Sequence, residues 1–266
     1  MKIDGEGALN LNLDEISIMG IKTSCHVGIY PREQNQAQPL EIDVTLYLDT
    51  KEAVRCNSLT KSVDYAALKG EISFILQSAN FKLLETAAEA LCYYILAPSP
   101  VDRPRGKVYG VELTLKKIRA FRDGSIPKLK IKRTLRDVSY SNTEGLCGEQ
   151  FIIHKGHDGL IFRLIIGAQM STPNYYHTGG VMSEMPCSAG VSYYTQGLAP
   201  GTGVFYPEGF VRKYINLTSS SKSLLCFQPP SSRVVVGKSL TPIDNKSVPN
   251  SMFRSYFAID LVQQYF

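Results

Sequence analysis

The sequence of 266 residues has the length of one large domain or two small ones. Hydrophobic residues make up 44% and charged residues 20%, a balance that excludes a disordered, collagen-like or coiled-coil chain. The net charge of +5 is small and dispersed, and no apolar run reaches the ~18 residues of a spanning helix. The N-terminus is acidic where a signal peptide would be basic and then apolar. We therefore predict a cytoplasmic protein that binds neither nucleic acid nor membrane.

The composition changes near residue 138, and this change predicts two domains. Charged residues concentrate before that point, whereas Gly, Ser, Pro and Tyr are enriched after it. Residues 139–145 are polar and turn-prone, as expected of a linker. We predict one domain over residues 1–138 and a second over residues 145–266.

Hydrophobic periodicity predicts strands and helices in the first domain. In chain order they are two strand pieces at 16–20 and 26–29 that meet at a turn, a strand at 40–48, helices at 64–78 and 83–96, and strands at 108–116 and 127–135. The order β-β-α-α-β-β predicts an α+β domain, with an antiparallel sheet and the helices on one face. The second domain has short apolar runs separated by Gly, Pro and Ser, which predicts a β-rich barrel or sandwich.

The cysteines and histidines form no metal-binding pattern. The six cysteines include no Cys-x-x-Cys pair, and the four histidines are too scattered for a metal cage. We predict reduced thiols, no metal and no cofactor.

Four short motifs in the first domain carry a resemblance to a known family. They are Gly28-Ile-Tyr-Pro-Arg-Glu33 followed by Gln38, then Val63-Asp64-Tyr65, Leu83-Leu84-Glu85 and Lys117-x-x-Ala120. In this order and spacing they resemble dihydroneopterin aldolase, from about Asp14 to Asp137. The resemblance implies a tunnelling fold (T-fold), in which a four-stranded antiparallel sheet carries two helices between its second and third strands. It also implies a homo-tetramer or homo-octamer with active sites between subunits.

The resemblance further implies a function in folate biosynthesis. The family cleaves the side chain of the pterin 7,8-dihydroneopterin, giving 6-hydroxymethyl-7,8-dihydropterin and glycolaldehyde. A C=N bond of the pterin ring accepts the electrons of the broken C–C bond, so the reaction needs neither a lysine imine nor a zinc ion. By resemblance, Lys117 helps to deprotonate the side-chain hydroxyl through water, and Tyr65 carries a proton to the methylene carbon.

Four further residues match substrate-binding positions of the family. Glu85 corresponds to the anchor that accepts two N–H groups from the edge of the pterin, a bidentate charge-assisted contact. Glu33 corresponds to the carboxylate that contacts the hydroxylated side chain. Backbone groups around Val63 and Leu84 line the pterin slot in relatives.

The sequence departs from the family pattern and leaves two alternatives open. Asn57 stands where the family usually has Asp, and Ile118 stands where Pro is frequent after the lysine. Lys116 and Arg119 form a basic cluster beside Lys117 that is suited to a phosphate, as in the related dihydroneopterin triphosphate epimerase. A catalytically weak pterin-binding scaffold is the other alternative.

The second domain carries a weaker resemblance to a degenerate cupin barrel. His177 and Glu184 lie seven residues apart, as in the first cupin motif, but Gly179 replaces its second histidine. The spacing from Gly201 to Asn216 follows the second motif, with Arg212 in place of the metal-binding histidine. At most two of four ligands remain, so we predict no metal there. The sequence assigns no function to this domain.

Overall fold

The first part of the chain is a sheet covered on one face by two helices. A computed structural model describes residues 13–237 and 248–257. The elements of this part are β1 (Asp14–Val27), α1 (Pro31–Asn35), β2 (Gln38–Leu48), α2 (Lys51–Cys56), α3 (Tyr65–Ser78), β3 (Asn80–Phe81), α4 (Leu84–Leu96), β4 (Val108–Lys117) and β5 (Lys128–Thr134). The sheet order is β3-β1-β2-β4-β5, and the four long strands pair antiparallel. The predicted α+β class and element order are confirmed.

The first strand differs from the prediction of two pieces joined by a turn. β1 is continuous and pairs with β2 along its length, with a bulge between Ile18 and Ile21. Gly20 takes a φ of +69° at this point, and its N–H donates to Asp43 Oδ1 at 2.8 Å. The glycine therefore absorbs an irregularity within the strand and does not end it.

The two long helices begin and end where local chemistry predicts. Asp64 caps α3, because its Oδ1 accepts hydrogen bonds from the N–H groups of Ala66 and Ala67 at 3.1 and 2.9 Å. α4 ends at Leu96, shortly before Pro98. Most side chains of α4 between Ala87 and Leu96 are buried, on more than one face of the helix. A helix that is apolar all round must be covered on both sides.

The second part of the chain is almost entirely β-structure. Its strands are β6 (Ser141–Gly145), β7 (Gly148–Gly156), β8 (Gly159–Ile166), β9 (Tyr175–Thr178), β10 (Met182–Pro186), β11 (Val191–Tyr193), β12 (Gln196–Leu198), β13 (Thr202–Tyr206), β14 (Tyr214–Asn216), β15 (Lys222–Gln228), β16 (Arg233–Val236) and β17 (Phe253–Ser255). The largest sheet has the order β17-β13-β10-β15-β8-β7-β6. The prediction of a β-rich second part is confirmed.

Most of the segment predicted as a linker is strand β6, which pairs with β7. Its side chains are mostly exposed, because β6 is the outermost strand of the sheet. An exposed edge strand keeps the polar composition that otherwise marks a linker.

The second part packs against α3 and α4. Ile153, Ile161 and Leu225 belong to the same buried cluster as the apolar side chains of the first sheet. The Phe74 ring of α3 contacts the rings of Phe205 and Tyr256 at centroid distances of 6.2 and 5.5 Å. This packing covers the second face of the helices. Independent folding of residues 1–138 and 145–266 stays a prediction.

Candidate active site

Three of the four motifs meet at one cleft of about 610 Å³. β1 ends at Val27, α4 begins at Leu84 and β4 ends at Lys117, all at the same end of the first part. Among the predicted site residues, those that line the cleft are Glu33, Leu84, Glu85 and Lys117. Residues distant in the sequence therefore converge as the sequence analysis expected.

The glycine of the first motif makes room for a carboxylate. Gly28 has a φ of +144°, and a Cβ atom at this position would lie 2.0 Å from Glu33 Oε2. Glu33 also accepts a hydrogen bond from the Tyr30 N–H at 3.2 Å, which closes the first turn of α1. The motif Gly28–Glu33 therefore folds the loop so that Glu33 points into the cleft.

Glu33 and Lys117 form an ion pair in the cleft. Lys117 Nζ contacts Glu33 Oε1. The side chain of Lys117 is 11% exposed and that of Glu33 is 16% exposed. Burial raises the pKa of Glu33, but hydrogen bonds from Lys117 and from the Tyr30 backbone outweigh it and hold the pKa below its usual value. Glu33 is therefore a carboxylate at neutral pH, and its contact with Nζ holds the Lys117 side chain in the cleft.

Glu85 is positioned to accept hydrogen bonds from a molecule bound in the cleft. It lies in the first turn of α4, where the helix dipole favours a negative charge, and Leu83 supplies no side-chain cap. Within residues 13–237 and 248–257, no cation forms an ion pair with Glu85. Its carboxylate is exposed at the cleft and is available to N–H donors of a bound molecule.

Tyr65 and Val63 lie outside the cleft of the same chain. Tyr65 is at the first position of α3 and is 61% exposed. Val63 is buried and lines a different cavity, beside α3. A single chain therefore brings together four of the six predicted site residues and leaves these two elsewhere.

The basic cluster expected around Lys117 is only partly present. Lys116 turns to the other face of the sheet, where Nζ contacts Glu41 Oε1 at 2.9 Å and Asp43 Oδ2 at 2.8 Å. Successive residues of a strand point to opposite faces, so the prediction that grouped Lys116 with Lys117 was wrong. Arg119 does line the cleft.

Lys82 and Phe121 are among the cleft residues that the sequence analysis did not predict. Lys82 comes directly before Leu83-Leu84-Glu85, and Phe121 directly follows Ala120 of the last motif. Their positions directly beside these motifs are the sequence signal that could have identified both residues.

The residues of the cupin-like motifs converge at a separate, buried cluster. Arg212 Nε lies 3.1 Å from both carboxylate oxygens of Glu184, and Nη1 lies 3.1 Å from His177 Nδ1. The guanidinium is completely buried, between the rings of Tyr175 and Tyr206 at 4.3 and 4.7 Å. Arg212 therefore supplies the positive charge at the centre of this cluster.

The histidine of this cluster is held neutral. Burial lowers the pKa of His177, and the neighbouring Arg212 charge lowers it further. His177 Nδ1 lies 3.1 Å from Arg212 Nη1, and Nε2 lies 3.1 Å from the Gly180 carbonyl oxygen and 3.2 Å from the Met182 backbone nitrogen, so both ring nitrogens have polar partners within the cluster. Gly179 has a φ of +75° in the turn after β9 and lies outside these contacts.

Over the described ranges, no group of three or more His, Cys, Asp or Glu side chains is placed to hold a metal ion. None of the helices in the same ranges has the length and apolar character needed to cross a membrane.

Comparisons with known proteins bear on the first part. Residues 16–132 match the family model described as dihydroneopterin aldolase. The dihydroneopterin aldolase of Streptomyces coelicolor is 29% identical over 90 residues, which cover 34% of this chain and 76% of that protein. The enzyme of that name from Bacillus subtilis is 27% identical over 97 residues, which cover 36% of this chain and 81% of that protein. The predicted resemblance is confirmed.

Two solved structures are similar to portions of this chain. Dihydroneopterin aldolase from E. coli, solved with neopterin, matches with a TM-score of 0.40 and 23% identity and covers 45% of this chain and 98% of that chain. A protein of unknown function with a cupin-like fold from Ralstonia eutropha matches with a TM-score of 0.27 and 13% identity. It covers 33% of this chain and 64% of that one.

Proposed function

We propose that the chain is a dihydroneopterin aldolase, which cleaves 7,8-dihydroneopterin into 6-hydroxymethyl-7,8-dihydropterin and glycolaldehyde. The observation that carries the proposal is the convergence of Glu33, Glu85 and Lys117 on one cleft, from three separate motifs. The match of residues 16–132 to the family model supports it. The proposal includes a cytoplasmic location.

The reaction needs proton transfer at two atoms of the substrate. A proton leaves the hydroxyl group next to the scissile C–C bond as that bond breaks, and the alcohol carbon becomes the aldehyde of glycolaldehyde. The bonding electrons move into the pterin C=N bond, and a proton then adds to the methylene carbon. We assign the first proton transfer to Lys117, through a water molecule, and the second to Tyr65. On this proposal the reaction is independent of metal and forms no Schiff base.

The carboxylates position the substrate for these steps. Glu85 accepts two N–H groups from the edge of the pterin, which suits an exposed carboxylate without an ion-pair partner in the described chain. Glu33 holds Lys117 at the cleft and offers its second oxygen to a hydroxyl of the substrate side chain. Positioning of this kind converts a weak base into an effective one.

We further propose that Tyr65 and the backbone at Val63 are supplied by a second copy, in a homo-tetramer or homo-octamer. Tyr65 is exposed and therefore accessible to a neighbouring chain. Val54 and Leu59 precede it and are 78% and 49% exposed, so this segment presents apolar surface of the kind that marks interfaces. β5 is the last strand of the described sheet and offers an edge for pairing.

A second candidate is the epimerase that acts on dihydroneopterin triphosphate. The observation that favours it is the presence of Arg32, Lys82 and Arg119 among the residues lining the cleft. Cations at these positions suit a phosphorylated side chain.

The test is to incubate the full chain with 7,8-dihydroneopterin and to measure both products. We expect glycolaldehyde and 6-hydroxymethyl-7,8-dihydropterin in equal amounts, no loss of rate with EDTA and no inactivation by borohydride in the presence of substrate. Loss of activity with EDTA and its recovery with zinc would overturn the mechanism. An epimerised triphosphate without glycolaldehyde would indicate the epimerase, and binding without turnover would indicate a scaffold.

A further inference from the structure

Two further cavities lie at the seam between α3 and the second part of the chain, and the larger one adjoins the candidate active site at Ala37 and Lys82. One is a polar groove of about 560 Å³ and the other is a larger cavity of about 780 Å³. Ser24, Gln77 and Arg254 line both, so the two cavities adjoin at these residues. We call the pair the seam site.

The polar groove is lined by cations and hydroxyl groups. Lys69, Ser73 and Gln77 recur every four residues and share one face of α3. Opposite them lie Arg254 and Ser255 of β17. No acidic side chain occurs among the described residues that line this groove. Cations interspersed with hydroxyl donors are the chemistry that binds phosphate groups.

Arg254 is held in place at the junction of the two cavities. Its Nη1 donates to Gln77 Oε1 at 3.2 Å, and the guanidinium lies 4.6 Å above the ring of Phe205. Tyr256 Oη donates to the same Gln77 oxygen at 2.9 Å, so the amide is fixed as an acceptor. A guanidinium fixed in this way pays less conformational entropy when it binds an anion.

Gly70 explains why the two elements approach closely enough to form the groove. A Cβ atom on Gly70 would lie 2.4 Å from the carbonyl oxygen of Tyr256. The missing side chain therefore lets α3 contact the backbone that follows Arg254. At Gly70 the helix and the backbone of Tyr256 are in direct contact, and this contact forms one wall of the groove.

The larger cavity combines an apolar wall with basic residues. The apolar wall consists of Val181, Phe205, Pro207, Phe227, Pro229 and Pro230. Lys82 and Arg254 are the Lys and Arg residues of its lining, and Asp158 is its one carboxylate among the described residues. Asp158 Oδ1 accepts a hydrogen bond from the Lys82 backbone N–H at 3.3 Å. The charged side chains of the larger cavity are therefore positive on balance. The apolar wall of the same cavity suits an aromatic ring of a ligand.

We propose that the seam site binds a phosphate-bearing molecule with an aromatic body, of the nucleotide type. The phosphates occupy the polar groove between Lys69 and Arg254. The aromatic body lies in the larger cavity against Phe205 and the proline-rich wall. Arg254 lies at the junction and contacts both halves of the ligand. This binding is separate from the proposed aldolase reaction.

Isothermal titration calorimetry on the full chain tests the proposal with three probes: ATP, inorganic tripolyphosphate and adenosine. We expect ATP to bind most tightly, because it fills both cavities, and adenosine to bind most weakly. Lys69→Gln and Arg254→Gln should each weaken ATP binding about tenfold, the effect of losing one charge-assisted hydrogen bond. Lys51→Gln removes an exposed charge that lines neither cavity and should leave the affinity unchanged.

Several results would overturn the proposal. These are absence of ATP binding at millimolar concentration, equal affinities for ATP and tripolyphosphate, and an equal response of the seam variants and Lys51→Gln. Competition between ATP and neopterin would assign the binding to the candidate active site instead. Unfolding temperatures of the variants check that they are folded. A failure to release glycolaldehyde would contradict the proposed function without changing these binding results.

Discussion

Two of the carboxylate–cation pairs among the described residues lie in contrasting surroundings. The pair Glu33–Lys117 lies at the wall of an open cleft of about 610 Å³, with side chains 16% and 11% exposed. The pair Glu184–Arg212 is completely enclosed, with both side chains 0% exposed. His177, Met182 and the aromatic rings around Arg212 surround its guanidinium on all sides.

The difference separates a group that can react from one that holds a fold together. A catalytic base needs access to the proton that it transfers, and a substrate anchor needs vacant acceptor positions. On the proposed function, Lys117 has this access at the wall of the cleft, and the exposed Glu85 carboxylate has such positions. A buried charge with complete partners has no position left for a ligand, and removing one partner leaves the other charge buried alone. We therefore expect substitutions in the cleft to affect turnover, and substitutions in the buried cluster around Arg212 to affect stability.

The largest expected effect is that of Lys117→Ala on turnover. Loss of a positioned proton-transfer group should lower kcat by about 10²–10⁴-fold while substrate still binds. Lys116→Ala is the matched control, since Lys116 is the adjacent lysine and pairs with Glu41 and Asp43 on the other face of the sheet. Steady-state kinetics with dihydroneopterin measures both. Equal losses for the two variants would show that the cleft does not distinguish these lysines.

Arg212→Ala should instead destabilise the fold. It leaves the Glu184 carboxylate buried without its cation, which costs about 3–5 kcal/mol of unfolding free energy. The exposed pair Arg55–Glu52, at 2.7 Å, provides the control, and Arg55→Ala should cost less than about 1 kcal/mol. Denaturant unfolding measures both effects. If Arg212→Ala had normal stability and a reduced kcat, Arg212 would act in turnover and not in stabilising the fold.

Glu85→Gln should weaken substrate binding more than it slows chemistry. The amide keeps the shape of the side chain but offers one acceptor oxygen and no negative charge to the paired N–H groups of the pterin. We expect KM to rise about tenfold or more, with a smaller change in kcat. A pure loss of kcat at constant KM would mean that Glu85 is part of the proton-transfer machinery.

The smallest expected effect is a pH dependence of stability. Burial lowers the pKa of His154, whose ring contacts Tyr93 at a centroid distance of 5.0 Å. The unfolded chain therefore takes up a proton at higher pH than the folded chain, so stability falls as the pH drops below about 6.5. His154→Phe keeps the ring contact and removes the titration. Its unfolding free energy should vary less between pH 7 and pH 5 than that of the wild type. An unchanged slope would exclude His154 as a source.

The long elements of the first part were predictable because each has a strong local signal. The strand at 40–48 alternates in burial, and α3 carries a capping aspartate at its start. The convergence of Glu33, Glu85 and Lys117 was predicted from the motifs. The long elements depend on residues that are near to one another in the sequence. The convergence of the site residues was predicted from the arrangement of motifs in a known family.

The features that the sequence did not predict depend on tertiary structure. β6 was expected to be a linker because an exposed edge strand has the composition of a loop. The orientation of Lys116 depends on which strand residue faces the helices. The seam site joins Lys69 to Arg254, which belong to different parts of the chain and have no common motif. Such juxtapositions appear only when the two parts pack together.

Mixing two inactive variants tests whether the cleft is completed by a second copy of the chain. Lys117→Ala and Tyr65→Phe should each lose most activity as separate proteins. After unfolding and refolding together in equal amounts, about a quarter of the sites should combine an intact Lys117 from one copy with an intact Tyr65 from its neighbour. We expect recovery of about that fraction of the wild-type rate of glycolaldehyde release. No recovery, although light scattering shows mixed oligomers, would contradict a site shared between subunits.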